Sequence, residues 1–164
     1  MVTLALLVLF GLFKGLIDLI AGDTEEDEAS MRNFQELARQ VNEMETGKSK
    51  EMPIYVSKDK FIVGFERDKA TASAVGCPDL DYKGKHTIYK PAVCGSKPCL
   101  CLCDNKYSCR ENKEIDCITK FDTNFDFRGG ASCNAALVPG NTKPQTIFIL
   151  KQKDYVKICS EECS

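Results

Sequence analysis

The apolar residues of this chain fall into three consecutive patterns. Val2 to Phe13 is nearly continuous Leu, Val, Ala and Phe, and after Lys14 a second apolar stretch runs from Leu16 to Ala21, interrupted by Asp18. Twenty-one helical residues span about 32 Å, close to the roughly 30 Å hydrocarbon layer, so residues 1–22 are expected to form a transmembrane anchor. Lys14 and Asp18 stand four apart on one helical face and can pair, and Asp18 lies near enough to an end to reach the headgroups. A cleaved signal peptide is the rival reading. It lacks a basic residue before the apolar core, and a cut after Ala21 would put Leu19 where a small residue is expected.

The second pattern is helical. From Thr24 to Met44 there is no Gly or Pro, and Met31, Phe34, Leu37, Ala38, Val41 and Met44 recur at steps of three and four. Glu36, Arg39, Gln40 and Glu43 take the opposite face. Thr24 with Asp27 resembles a capping box, and Gly47 is placed to end the helix. Residues 23–47 are therefore expected to form an amphipathic juxtamembrane helix. Its stripe is expected to pack on the domain that follows, with a short coiled coil through Phe34, Leu37, Val41 and Met44 as the alternative.

In the third pattern, residues 48–164, short runs of β-branched and aromatic residues alternate with turn formers. Ile54–Val56 and Phe61–Phe65 flank Ser57-Lys58-Asp59-Lys60 and predict a hairpin, as do Thr146–Leu150 and Tyr155–Cys159 around Gln152-Lys153-Asp154. His86–Tyr89, Cys99–Cys103 and Ile115–Phe121 are further strand candidates, whereas Asp68–Asp81 and Gly129–Pro144 read as loops. The fold class expected is α+β: an N-terminal transmembrane and juxtamembrane helix, then a small, mainly antiparallel-β, disulfide-rich domain. No repeat or low-complexity tract is evident.

Composition adds an address. All ten cysteines lie between Cys77 and Cys163, beyond the apolar segment, as expected for an exported domain in which thiols oxidise. The stretch Asp23–Glu28 carries no Lys or Arg, which leaves the C-terminal part free to leave the cytoplasm. With 22 basic against 24 acidic residues and no basic stripe, a nucleic-acid partner is not expected.

The sharpest motif is Cys99-Leu100-Cys101-Leu102-Cys103. On a strand the period of two puts all three sulfurs on one face, about 6.6 Å apart at alternate positions and poorly directed for pairing with each other. Each needs a partner from elsewhere: Cys94, Cys109, Cys117 and Cys133 are near in sequence, Cys77, Cys159 and Cys163 further away. Connectivity stays open. Thiolate binding of a soft metal and thiol-disulfide exchange are rival uses of Cys99, Cys101 and Cys103. However, there is no Cys-x2-Cys pair, and His86 is the only histidine, so a zinc finger has no template.

Other chemistry is sparse. His86 could serve as a general base. Asp79, Asp81, Asp122 and Asp126 could supply a carboxylate pair or a calcium site, without the dense Asp/Asn/Gly loop that calcium uses. Gly129-Gly130 reads as a turn, with no P-loop lysine nearby. No catalytic, cofactor-binding or metal residue is therefore assigned.

Through Met52-Pro53-Ile54-Tyr55-Val56, Ile62-Val63-Gly64-Phe65 and Pro98-Cys99-Leu100-Cys101-Leu102-Cys103-Asp104, the chain resembles uncharacterised small membrane-anchored archaeal proteins. The resemblance implies an N-terminal span, a helix and a Cys-Leu-Cys-Leu-Cys-bearing β-rich head, and it carries no activity. The expectation is a non-enzymatic module in the cell membrane, touching the bilayer through residues 2–22. Its C-terminal domain would lie outside and serve binding or envelope structure, with a surface or envelope protein as partner.

Overall fold

The computed structural model describes residues 25–74, 87–104, 109, 116–121, 125–129, 135–160 and 163. The expected span over residues 2–22 and the capping residue Thr24 lie outside them. Among the described residues no helix is long and apolar enough to cross a membrane.

Helix α1 occupies residues 25–43. Its stripe is buried as the periodicity demands: Phe34, Leu37, Ala38 and Val41 are within the main core, with Met31 and Met44 packed against it. Arg39 stays outside, paired with Glu36 and Glu43 on its own helix. The helix stops before Gly47, whose φ of 83° suits a residue without a side chain and turns the chain into the first strand.

Ten strands follow among the described residues: β1 (Ser49–Ile54), β2 (Phe61–Phe65), β3 (Thr71–Ser73), β4 (Thr87–Tyr89), β5 (Cys99–Cys103), β6 (Asp116–Ile118), β7 (Asp126–Arg128), β8 (Ala136–Pro139), β9 (Gln145–Lys151) and β10 (Tyr155–Cys159). They make two four-stranded sheets, ordered β1-β9-β10-β7 and β6-β5-β2-β8, and a two-stranded ribbon, β3-β4. All pairs are antiparallel except β10 with β7. The described residues are thus mostly antiparallel β, rich in disulfides, with one short α-helix among them.

Period-two alternation sorts the strands into layers. In the first sheet Met52, Ile54, Ile147, Ile149, Val156 and Ile158 face the main core, which the helix stripe completes. The second sheet is apolar on both sides. Ile62, Leu100 and Leu102 join that main core, while Phe61, Val63, Phe65, Cys99, Cys101 and Cys103 enter a second core shared with Ala72 and Ile88 of the ribbon. This explains the unbroken burial of β2 and β5: theirs is the middle layer.

Several sequence expectations need correction. The β9–β10 hairpin forms, with Gln152 N donating to Tyr155 O at 2.8 Å, but the first expected hairpin does not. Lys60 N does close a turn on Ser57 O at 2.9 Å. The flanking strands nevertheless part, β1 ending at Ile54 to pair with β9, and β2 entering the other sheet between β5 and β8. A strand apolar on both faces is more completely covered at a sheet centre than in a two-stranded hairpin. The two expected loops also contain strands, β3 within Asp68–Asp81 and β8 within Gly129–Pro144. Of the expected strand Ile115–Phe121, Asp116–Ile118 forms β6 while Thr119, Lys120 and Phe121 leave it, and Ile115 lies outside the described residues.

Candidate functional site

The cysteines of β5 are fixed by its neighbours. Antiparallel pairing with β2 sets Cys99, Cys101 and Cys103 opposite Phe65, Val63 and Phe61, and pairing with β6 sets Cys101 directly opposite Cys117. Each sulfur bonds a different partner: Cys94–Cys99, Cys101–Cys117 and Cys103–Cys109. A fourth bond, Cys159–Cys163, closes the end of β10. Cys77 and Cys133 lie outside the described residues.

Burial is nearly complete. Cys99, Cys101, Cys103 and Cys109 have no exposed surface, Cys94 has 2%, and Cys117 is half-buried. Cys94 ends a single 3-10 turn, Ala92–Cys94, which Pro91 starts and Gly95 stops at a φ of 52°. That turn carries the Cys94 sulfur over β5. Consequently two disulfides touch: Cys94 Sγ stands 3.6 Å from Cys101 Sγ, and Cys101 Sγ stands 3.9 Å from Cys99 Sγ. Sulfurs of Cys94, Cys101 and Cys117 all lie within 4.8 Å of one another. Sequence spacing shows the three sulfurs of β5 on one face, but not that Cys94 would join them, because a tertiary turn brings it there.

The remaining expected candidates separate. Asp126 accepts a hydrogen bond from Arg67 N at 2.8 Å and faces the Arg67 guanidinium at 3.9 Å. Gly129 is buried beside β7. His86, Asp79, Asp81, Asp122 and Gly130 lie outside the described residues.

Two lysines matter that sequence reasoning passed over. Lys60 lies in an open cleft with Glu26, Asp27, Asp59 and Asp104. Its ammonium donates to Asp104 at 2.9 Å and Asp27 at 3.2 Å, so the cleft's acidic wall already holds an internal cation. Burial pushes the Lys60 pKa down, but the two carboxylates outweigh it and the net shift is upward. Lys151 is 3% exposed and ends the inward row Ile147, Ile149, Lys151. Its ammonium donates to Val41 O at 2.9 Å and Asn42 O at 3.0 Å at the end of α1, and stands 5.7 Å from the Phe125 ring centre. The signal was available in alternation: a lysine in register with two buried isoleucines must find acceptors inside.

No known family model, curated protein or solved structure matches the chain.

Proposed function

We propose that the chain is a non-enzymatic module, tethered to the cell membrane through residues 2–22 and displayed outside the cytoplasm, serving binding or envelope structure. The observation that carries this reading is the state of β5: Cys99, Cys101 and Cys103 are each bonded to a different partner and wholly buried. An exchange enzyme requires an exposed thiolate of lowered pKa, whereas a brace requires inert, covered sulfurs. Disulfides of this density persist in oxidising compartments, which favours the extracytoplasmic side. The apolar residues 2–22 supply the tether, and a surface or envelope protein is the natural partner for a displayed head.

Insulin reduction by the full-length protein, run beside a thiol count, tests it. Protein isolated from an oxidising compartment should gain at least eight titratable thiols on reduction and show no insulin turnover. Turnover that disappears on Cys101→Ser with the fold intact would replace the module by a tethered thiol oxidoreductase. Alkaline carbonate should leave the protein in the membrane fraction; release would remove the tether.

A further inference from the structure

An open cleft of about 510 Å³ has the apolar Tyr89, Pro91 and Ala92 and the charged Asp68, Lys69 and Lys90 in its lining. Lys60, which Asp27 of α1 reaches, precedes the first residue of β2, whereas Asp68 follows the last, so the cleft lies at the other end of that strand. Arg67 N bonds Asp126 and Asp126 N bonds Asp154 O, which puts this end beside the β9–β10 turn, where Lys151 meets the last turn of α1. The cleft is therefore at the far end of the head from the start of α1. Here stand the two exposed large apolar side chains of the described residues, Tyr89 at 46% and Val93 at 68%. Tyr89 lines the cleft, and Val93 follows Ala92 in the 3-10 turn. Both are held from behind: Ile88, next to Tyr89, is buried in the second core, and Cys94, next to Val93, is bonded to Cys99. Such fixing lowers the ordering cost of binding. The two lysines differ. Lys69 pairs with Glu66 at 3.3 Å. The part-buried Lys90 ammonium donates to the neutral Glu66 O at 2.9 Å and has no ion pair among the described residues. Burial pushes its pKa down, and Asp68 and Asp126 do not offset this, so a further carboxylate would stabilise the charged form.

We propose that this cleft docks an acidic segment of a partner protein, with an aspartate or glutamate carboxylate on Lys90 and an apolar side chain against Tyr89 and Val93. The inference rests on the reading of the chain as a binding module and gives that module a site and a partner chemistry. Single exposed apolar residues are ordinary on a protein surface, but here two stand beside one cation and one cleft. An acidic polysaccharide would satisfy the lysine and leave Tyr89 and Val93 uncovered, whereas an acidic protein segment with apolar side chains answers both, and aromatic residues are favoured at protein interfaces. The cleft at the opposite end, around Lys60, is unsuited to this role because Asp27 and Asp104 already hold its ammonium. With residues 2–22 as the tether leading into α1, the docking cleft stands at the end of the head away from the tether.

Fluorescence anisotropy on the full-length protein in mild detergent tests this with labelled hexapeptides that alternate leucine with glutamate, leucine with lysine, or serine with glutamate. The leucine-glutamate peptide should bind saturably at one per chain, and each of the others at least about tenfold more weakly. Lys90→Gln should weaken it roughly tenfold, as should Tyr89→Ser combined with Val93→Ser, each the equivalent of losing one hot spot. Lys90→Arg, which keeps the charge, should retain binding, and Lys58→Gln in the opposite cleft should leave it unchanged. Melting temperatures recorded beside each titration separate a lost contact from a lost fold, and the exposure of Tyr89 and Val93 keeps their variants folded. No saturable binding, equal binding of the leucine-lysine or serine-glutamate peptide, or equal weakening by Lys58→Gln and Lys90→Gln would each overturn the site. Polygalacturonate binding as tightly as the leucine-glutamate peptide would also overturn it, in favour of an acidic glycan. Failed peptide binding in a protein without insulin turnover removes the docking cleft alone, whereas turnover lost on Cys101→Ser removes the module reading.

Discussion

Gly64 and Lys151 occupy positions where one atom more or less decides how two layers meet. A methyl at Gly64 would stand 2.5 Å from Phe127 Cβ and 2.6 Å from Cγ, atoms too close to the β7 backbone to swing aside. Gly64→Ala should cost about 1–3 kcal/mol, the usual range for forced overpacking, and lower the denaturant midpoint without changing the slope. An unchanged midpoint would mean that β7 does not lie against β2 as described. Lys151 poses the opposite problem, a buried charge fully used. Lys151→Met keeps the stem but strips two carbonyls at the end of α1 of their charged donor, and hydrogen bonds to charged groups are each worth about 1.5–3 kcal/mol. A net loss of about 2 kcal/mol is expected by thermal or denaturant unfolding, with circular dichroism showing an early loss of helix. Neither role was visible in the residue type alone. Gly64 reads as a break in an apolar run and Lys151 as a strand-end charge until the partner strands are known, although the alternation Ile147, Ile149, Lys151 did point the lysine inward.

At the scale of elements, legibility followed length and closeness of partner. The five residues of β5 carry two full alternations, and the structure gives the strand its expected ends. Strands β9 and β10 are neighbours along the chain, so their turn announces them. Strands β3 and β7 have three residues each, less than two periods, and β7 is recruited only by parallel pairing to a strand distant in sequence. No local pattern could expose it. Strand β8 opens Ala-Leu-Val before Pro139, an apolar run without alternation, because as an edge of the middle layer it is covered on both sides. The weakest element should be β6, another three-residue edge, held to β5 by pairing and by the Cys101–Cys117 bond. That bond closes a separation of 16 residues, for which restriction of the unfolded chain is worth about 3 kcal/mol. The double variant Cys101→Ala, Cys117→Ala should lose about that much. By hydrogen exchange the β6 amides should lose protection first while β2 retains its own; uniform loss across both sheets would show that the bond supports the whole middle layer instead.

For the whole molecule the question is how α1 belongs to the β domain. Its stripe was legible as something to be covered, and the sheets cover it: Phe34, Leu37 and Val41 share one core with both of them. What the stripe could not say is how the polar side of the contact is fastened. Ser57 N donates to Ser30 Oγ at 2.9 Å, Tyr55 N to Asn33 Oδ1 at 3.3 Å, and Lys60 reaches Asp27 of the helix and Asp104 just past β5. Lys60 therefore ties the helix to the middle layer through charge. Burial disfavours its ammonium, yet Asp104 and Asp27 raise its pKa above the ordinary lysine value. A raised folded-state pKa means that the stabilisation is complete below the unfolded value, about 10.4, and is lost as pH climbs through the higher folded value. Lys60→Met should cost about 1–2 kcal/mol at neutral pH, the value of a charged hydrogen bond to Asp104 with little added by exposed Asp27. The gap between wild type and variant should stay constant from pH 7 to about 10 and narrow only above the unfolded lysine pKa. Denaturant unfolding across that range measures it. A gap that closes between pH 7 and 9 would place the Lys60 pKa below its ordinary value and break the charged tie between helix and sheet.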